Sequence, residues 1–291
     1  MMDWIFFMIS LNLIGIDFED WFHPQLVSPY VTEEQKTHTM FKGLDKILDL
    51  LRKNDTNATF FLVGELLETT PEILDKIISE GHEIGFHTMH HTRLDSPNFR
   101  RLFKEELKKF DDLTSGKSIG FRAPTFSLNE NSSWVIDELV SAGYKYDSSI
   151  VPAKTSMYGM PSAEKSPYKI TSSNLEKNDI DGILIEFPLL ITKFLGKIIP
   201  ASGGFYLRTL PLKIIKNAIK SYEKKQIPAS FYIHSWELTP EYIPQINLPA
   251  KNHFITFHNI KKTFSKMNEL LKEFEFTTFD SYSHQFTKTV D

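Results

Sequence analysis

The sequence predicts an α/β domain on a mainly parallel sheet, open or closed into a barrel, and three observations predict it. Short apolar runs recur through the 291 residues, helical patterns separate most of them, and polar or ionisable side chains cluster where the runs end. Strand–helix alternation over this length marks parallel strands joined by helical crossovers.

The runs fall at 11–17, 58–64, 82–87, 118–124, 144–150, 182–188, 229–234 and 275–280. The first continues an apolar N-terminus, Met1 to Leu13, with the hydrophobicity of a signal peptide. Asp3 stands where such a peptide carries positive charge, and no small-residue cleavage site follows. The segment is therefore read as leading into a first core strand.

Between the runs, Phe41, Leu44, Ile47, Leu48 and Leu51 repeat on one helical face. Pro71 opens the next helix and Gly81 closes it. Residues 99–113 are charged and amphipathic and end near Gly116. Asn129 or Asn131 caps a helix that runs to Ala142 and stops at Gly143. Residues 211–224 and 260–274 complete the set. The segment 150–183, with Pro152, Gly159, Pro161 and Pro167, breaks the alternation and reads as a long loop, a feature that tends to be functional. No repeat or composition break divides the chain, so 1–291 is read as one domain.

A net charge of −4 leaves no electrostatic footprint for nucleic acid. No stretch after the N-terminus reaches the ~18 apolar residues of a membrane span. The sequence has no cysteine, so any metal falls to His, Asp or Glu. The lack of cysteine fits a reducing compartment, and without an export signal the expectation is a cytoplasmic protein.

The run ends carry the chemistry. The first leads into Asp17-Phe18-Glu19-Asp20-Trp21-Phe22-His23, the third into His87-Thr88-Met89-His90-His91, the fourth into Arg122-Ala123-Pro124. The fifth carries Asp147-Ser148-Ser149, and the seventh leads into His234-Ser235-Trp236-Glu237. In closed (β/α) barrels the active site lies at that end of the strands. His87 and His91, four apart, would share a face on a helical turn and chelate a divalent ion with a carboxylate from the first strand.

These segments, with Ala58-Thr59-Phe60-Phe61-Leu62-Val63-Gly64 and Gly81-His82-Glu83-Ile84-Gly85, occur in the order found in a known family. The chain resembles the polysaccharide deacetylases with a NodB-type domain (carbohydrate esterase family 4). Within them it is most similar to the branch of exopolysaccharide deacetylases, allantoinase-like proteins and Helicobacter-type peptidoglycan deacetylases. The resemblance implies a distorted, TIM-like (β/α) barrel of seven or eight strands. It also implies a divalent ion, zinc foremost with cobalt, nickel or manganese as alternatives, on an Asp–His–His set that includes His87 and His91.

The family pattern Thr-Phe-Asp-Asp-Gly is replaced here by Asp17-Phe18-Glu19-Asp20-Trp21. One register makes Glu19 the base and Asp20 the ligand; another makes Asp17 the base with Glu19 or Asp20 as ligand. The expectation adopted is Asp17 as base, Glu19 cooperating from the same strand face, and Asp20 as ligand. His234 would be the general acid, and Arg122 would orient the base. Asp147 would fix His234 or a loop beside the substrate, with Trp21, Trp236 and Tyr206 as sugar platforms. The implied function is metal-dependent removal of an N-acetyl group from an amino sugar, in a glycan or a precursor for polysaccharide or lipopolysaccharide synthesis. Two alternatives are a ureide hydrolase of the allantoinase-like type and a catalytically silent carbohydrate-binding barrel.

Overall fold

A computed structural model describes residues 11–290, with side chains to His284. Strand β1 (Asn12–Phe18) is buried along its length, as a parallel strand covered on both faces must be. Helix α1 (Leu44–Lys53) buries the predicted apolar face and leads to β2 (Thr59–Leu62). Then come α2 (Glu65–Thr69), α3 (Glu72–Ser79) and β3 (Glu83–Phe86). Pro71 sits at the N-cap of α3, and Gly81 follows its end with φ +81°. Helix α4 (Phe99–Thr114), β4 (Gly120–Phe121), α5 (Trp134–Ser141) and β5 (Tyr146–Asp147) continue the alternation.

The second half is less regular. Strands β6 (Tyr168–Ile170) and β7 (Leu184–Glu186) pair antiparallel, and β8 (Ile191–Phe194) and β9 (Lys197–Pro200) form a separate hairpin. Helices α6 (Gly204–Thr209) and α7 (Leu212–Glu223) lead to β10 (Ser230–His234) and α8 (Ser235–Leu238). The chain finishes with α9 (Ala250–Phe257), α10 (Thr263–Glu273), β11 (Phe276–Thr277) and α11 (Phe279–Val290). Each of the eight expected runs contains a strand. Strands β6, β8 and β9 were not expected; β6 lies inside the Pro-rich loop. The reading of residues 1–10 falls outside the described residues.

The parallel strands follow the order β10-β1-β2-β3-β4-β5-β7 and curl into the distorted (β/α) barrel. One isolated parallel bridge, Leu189 to Ser230, joins the segment after β7 to β10. Strand β11 pairs with Asn12 and Leu13, below the start of β2.

Side-chain alternation sorts the strands into two layers. Ile14, Ile16, Phe18, Phe60, Leu62, Ile84, Phe86, Phe231 and Ile233 face outward into the main core under the helices. Leu13, Phe61, Tyr146, Ile185 and Phe187 face inward, and Phe279 of α11 closes the bottom of their cluster. The interior is narrow. A Cβ at Gly15 would stand 2.5 Å from Arg122 Nη1 and 2.8 Å from the Phe61 ring, so the absent side chain makes the room the guanidinium occupies. Above Phe61 the inward positions turn polar, and there the chemistry begins.

Candidate active site

Arg122 forms the floor. Its guanidinium lies 4.0 Å from the Phe61 ring centroid, donates from Nη1 to Asp17 Oδ1 at 2.7 Å, and is fixed by Ser148 O (3.0 Å) and Ser148 Oγ (2.9 Å). Arg122 and Asp17 are both buried, so the charge pair is desolvated as well as hydrogen-bonded. Asp17 neighbours His234 in the β1–β10 register.

Glu19 continues the inward face of β1. Its Oε1 accepts Trp236 Nε1–H at 2.9 Å, and its Oε2 lies 2.7 Å from His91 Nε2 without the alignment of a hydrogen bond. Burial opposes ionisation of Glu19, but the imidazoles of His91, His234 and His87 outweigh it and hold the carboxyl below its ordinary range. His87 donates Nδ1–H to Arg122 O at 2.7 Å, which turns its Nε2 lone pair towards the site. Burial pushes His87 down to about 4, so it is neutral, the form that binds a cation.

His91 is delivered by a loop, which corrects the helical turn expected for the histidine pair. Thr88 and His91 have φ +60° and +53°, uncommon for residues with side chains and typical of constrained functional segments. The loop is held by Gly64 N–H to Thr88 O (3.0 Å), Glu65 N–H to Met89 O (2.9 Å) and Met89 N–H to Glu106 (2.9 Å). The His91 ring stacks on His23 at 5.7 Å. Donor atoms of Glu19, His87 and His91 all lie within 4.8 Å of one another. Two imidazoles and one carboxylate, whose buried Oε2 has no hydrogen-bond partner among the described residues, form a donor set that fits a divalent cation.

Asp20, expected as the ligand, points elsewhere. Its Oδ1 accepts the N–H groups of Thr39 (2.9 Å) and Met40 (3.0 Å), and its Oδ2 pairs with His38 at 2.7 Å. The alternation that turns Asp17 and Glu19 inward turns Asp20 outward. It anchors the 37–40 segment, and on geometry Glu19 takes the place assigned to it.

His234 stands across the cavity, its Nε2 3.9 Å from Glu19 Oε1 and its ring stacked on Trp236 at 5.0 Å. Its Nδ1 pairs with Glu237 Oε2 at 2.6 Å, and Glu237 Oε1 accepts Arg208 Nε–H at 2.7 Å. Burial alone would lower the histidine, but Glu237 more than offsets it and holds His234 at about 9. Asp147, expected to fix His234 or a loop, does not reach His234 and instead holds Ser149 in the segment after β5. Tyr146 and Ser148 face inward, so Asp147 between them faces outward and is fully buried against Glu186, with Ser149 Oγ donating to it at 2.5 Å. Burial raises both carboxyls above their ordinary range.

Asp17, Glu19, His87, His91, Arg208 and His234 line one cavity of about 130 Å³, with Tyr232, Phe126, Tyr158 and Phe205 among its walls. Trp236 lines it, but Trp21 does not. The Trp21 ring is buried with Phe22, Val27 and Met40, and its Nε1 donates to Thr37 O at 3.2 Å. Tyr206 packs against the core beside the cavity, whose wall is made by its neighbour Phe205. A larger groove of about 620 Å³, walled by apolar side chains such as Ile246 and Phe257, contains none of the ionisable strand-end groups.

The profile of the polysaccharide deacetylase family matches residues 41–146, the segment that supplies His87, His91 and Arg122. The chain carries a polysaccharide deacetylase domain. A second profile, a domain of unknown function (DUF3473), matches residues 148–284 and supplies Arg208, His234 and Glu237. The sheet draws strands from both segments, which meet at the β5–β7 pair, while β1, which precedes the first matched segment, pairs with β10 of the second. A Bacillus cereus peptidoglycan-N-acetylglucosamine deacetylase is 33% identical over 102 residues, 34% of this chain and 46% of that protein. A Helicobacter pylori peptidoglycan deacetylase is 27% identical over 155 residues, 50% and 52% of the two chains. The chain thus spans about half the length of these curated relatives. Among solved structures, a polysaccharide-deacetylase-type protein from Mycobacterium smegmatis shares the fold at TM-score 0.62 and 14% identity, covering 96% of this chain and 92% of that one. Among the described residues of this deacetylase domain, no helix is long and apolar enough to cross a membrane.

Arg208 and the role of Glu237 were missed from the sequence. The i,i+3 spacing of His234 and Glu237 was a usable signal; Arg208, on another helix with no motif around it, gave none.

Proposed function

We propose that the protein is a metal-dependent hydrolase that removes an N-acetyl group from an amino sugar within a glycan or glycan precursor. The observation that carries this reading is the convergence of Glu19, His87 and His91 on one point of a cavity that also presents Asp17 and His234. The domain match and the named activities of the deacetylase relatives support the same reaction class.

Glu19, His87 and His91 would hold the ion, zinc foremost for two imidazoles and one carboxylate. Such an ion supplies activation of water and polarisation of the amide carbonyl. Asp17, oriented by Arg122, takes the proton of the attacking water as general base. His234, held at about 9 by Glu237, carries a proton at neutral pH and delivers it from Nε2 to the departing amine. Arg208 fixes Glu237, and Trp236 fixes Glu19 and stacks on His234. Phe126, Tyr158, Tyr232 and Phe205 give the cavity an aromatic wall against which an acetyl group and sugar ring pack.

The test is acetate release from N-acetylated oligosaccharides by the metal-loaded protein, with His234→Ala and Asp17→Asn as controls. Release that drops about 10²-fold or more in each variant supports the reading. Release from none of these substrates, with turnover of a cyclic ureide instead, would move the assignment to the allantoinase-like chemistry.

A further inference from the structure

A second compartment of about 410 Å³ adjoins the catalytic cavity. The two share Phe126, Met157 and Tyr158 as a common wall. The compartment's far side is polar: Lys154 and Arg93, the latter with its charge balanced by Asp95, line it with Asn129 and Ser156, and no carboxylate is among its lining residues. Arg93 is committed to Asp95 through two hydrogen bonds of 2.8 and 2.7 Å and to Gln25 at 3.1 Å, which fixes its fork in place. Lys154 is exposed and has no ion-pair partner among the described residues.

The wall that presents Lys154 is a built structure. Thr155 Oγ1 accepts the N–H groups of Met157 (3.2 Å) and Tyr158 (3.0 Å) and donates to Tyr158 O (2.6 Å). Gly159 sits at φ +125°, and a Cβ there would meet Ala153 O at 1.9 Å, so only glycine lets the chain fold back on Lys154. Met160 N–H then bonds Val151 O at 2.9 Å and closes the turn. On the shared wall, Thr125 and Phe126 hold φ of +54° and +50°, which places the Phe126 ring between the two cavities and against Tyr158 and Tyr232.

A lone lysine on a solvated loop needs no ligand. A lysine held by a self-bonded turn on the wall of this polar compartment, one wall away from the catalytic groups, is placed to meet charge on the substrate. We propose that this compartment is a subsite for an oxyanion, a carboxylate or a phosphate ester, on the sugar adjoining the one that loses its acetyl group. The proposal rests on the deacetylase reading above and narrows its substrate class to negatively charged glycans.

The test compares three probes: neutral N,N′-diacetylchitobiose, its 1-phosphate, and the N-acetylglucosamine–N-acetylmuramic acid disaccharide with its lactyl carboxylate. Acetate release gives kcat/KM for the wild type, Lys154→Ala and Lys154→Glu at low salt. The subsite predicts that the wild type prefers at least one anionic probe, roughly five- to tenfold, and that the favoured probe identifies the anion. The preference should shrink towards one in Lys154→Ala and invert in Lys154→Glu. Equal rates on all probes, or a preference identical in the three proteins, would overturn it. If no probe releases acetate, the deacetylase reading fails, and calorimetric binding of the same probes decides the subsite separately. Tighter binding of an anionic probe that Lys154→Glu abolishes supports it; equal or absent binding overturns it.

Discussion

Glu237 bridges His234 and Arg208, with Oε2 2.6 Å from the imidazole Nδ1 and Oε1 2.7 Å from the guanidinium Nε. The bridge lets a half-buried imidazole stay charged: desolvation would lower His234, and the carboxylate raises it to about 9. Replacing Glu237 with Gln removes the charge and keeps the shape. The alkaline limb of kcat should then move to lower pH, and kcat at neutral pH should fall about 10- to 100-fold, the usual cost of losing such a supporting partner. A pH–rate profile checks this. An unmoved alkaline limb would show that His234 is not the acid.

Arg122 and Asp17 respond differently to truncation. Asp17→Asn leaves the guanidinium its two bonds to Ser148, so the fold persists while kcat falls by about 10²–10⁴ through loss of the base. Arg122→Ala leaves a buried carboxylate unpaired and empties the space over Phe61. It should destabilise the protein by roughly 3–5 kcal/mol in addition to abolishing activity. Chemical denaturation of both variants separates the two effects.

The two tryptophans of the expected sugar platform should part company. Trp236→Phe removes the 2.9 Å bond to Glu19 and should impair turnover with modest loss of stability. Trp21→Ala should cost about 3–5 kcal/mol of stability, as for a large buried aromatic, because its ring is buried in a core cluster with Phe22, Val27, Met40 and Trp236 and is no part of the cavity wall. Steady-state kinetics beside thermal melts reads the contrast.

At the bottom of the barrel, Glu83 is buried with Thr59 and Tyr146 as hydrogen-bond donors and the Asp280 N–H at 3.1 Å. Burial raises it from 4.5 to about 7. The folded protein keeps this proton where the unfolded chain has lost it. The contribution is therefore fully present below pH 4.5 and is lost as pH rises through 7. Glu83→Gln should flatten the decline in stability between about pH 5 and 8 by up to roughly 3 kcal/mol. Denaturant midpoints at both pH values test it; an unchanged slope would show that Glu83 is already ionised in the folded state.

Much of this arrangement was legible in the sequence, for stated physical reasons. Parallel strands buried on both faces read as apolar runs, and so the segment around each barrel strand stood out. His87, His91, Arg122 and His234 stood at run ends, where a barrel gathers its chemistry; the structure brings the three histidines to one cavity and sets Arg122 behind it, bonded to His87 and Asp17. What failed was facing. Asp147 was placed by its position near a strand end, but the inward neighbours Tyr146 and Ser148 require it to point out. Asp20 was carried over from the family pattern, whereas the alternation that begins at Leu13 selects Glu19. Strands β8 and β9 gave no warning, because a short hairpin outside the barrel has neither a crossover helix nor a polar run end to mark it. The supporting contacts of His23 with Glu65 and of Glu237 with Arg208 join residues distant in the chain, and no local pattern encodes them.

The central claim is that Glu19, with His87 and His91, forms a divalent metal site from which Asp20 is excluded. The most direct measurement is metal content per chain after zinc loading and dialysis, for the wild type, Glu19→Ala, Asp20→Asn and the His87→Ala/His91→Ala double variant. The account predicts about one ion in the wild type and in folded Asp20→Asn, and little or none in the other two. An ion kept by Glu19→Ala and lost by folded Asp20→Asn, or a wild type that binds none, would contradict it.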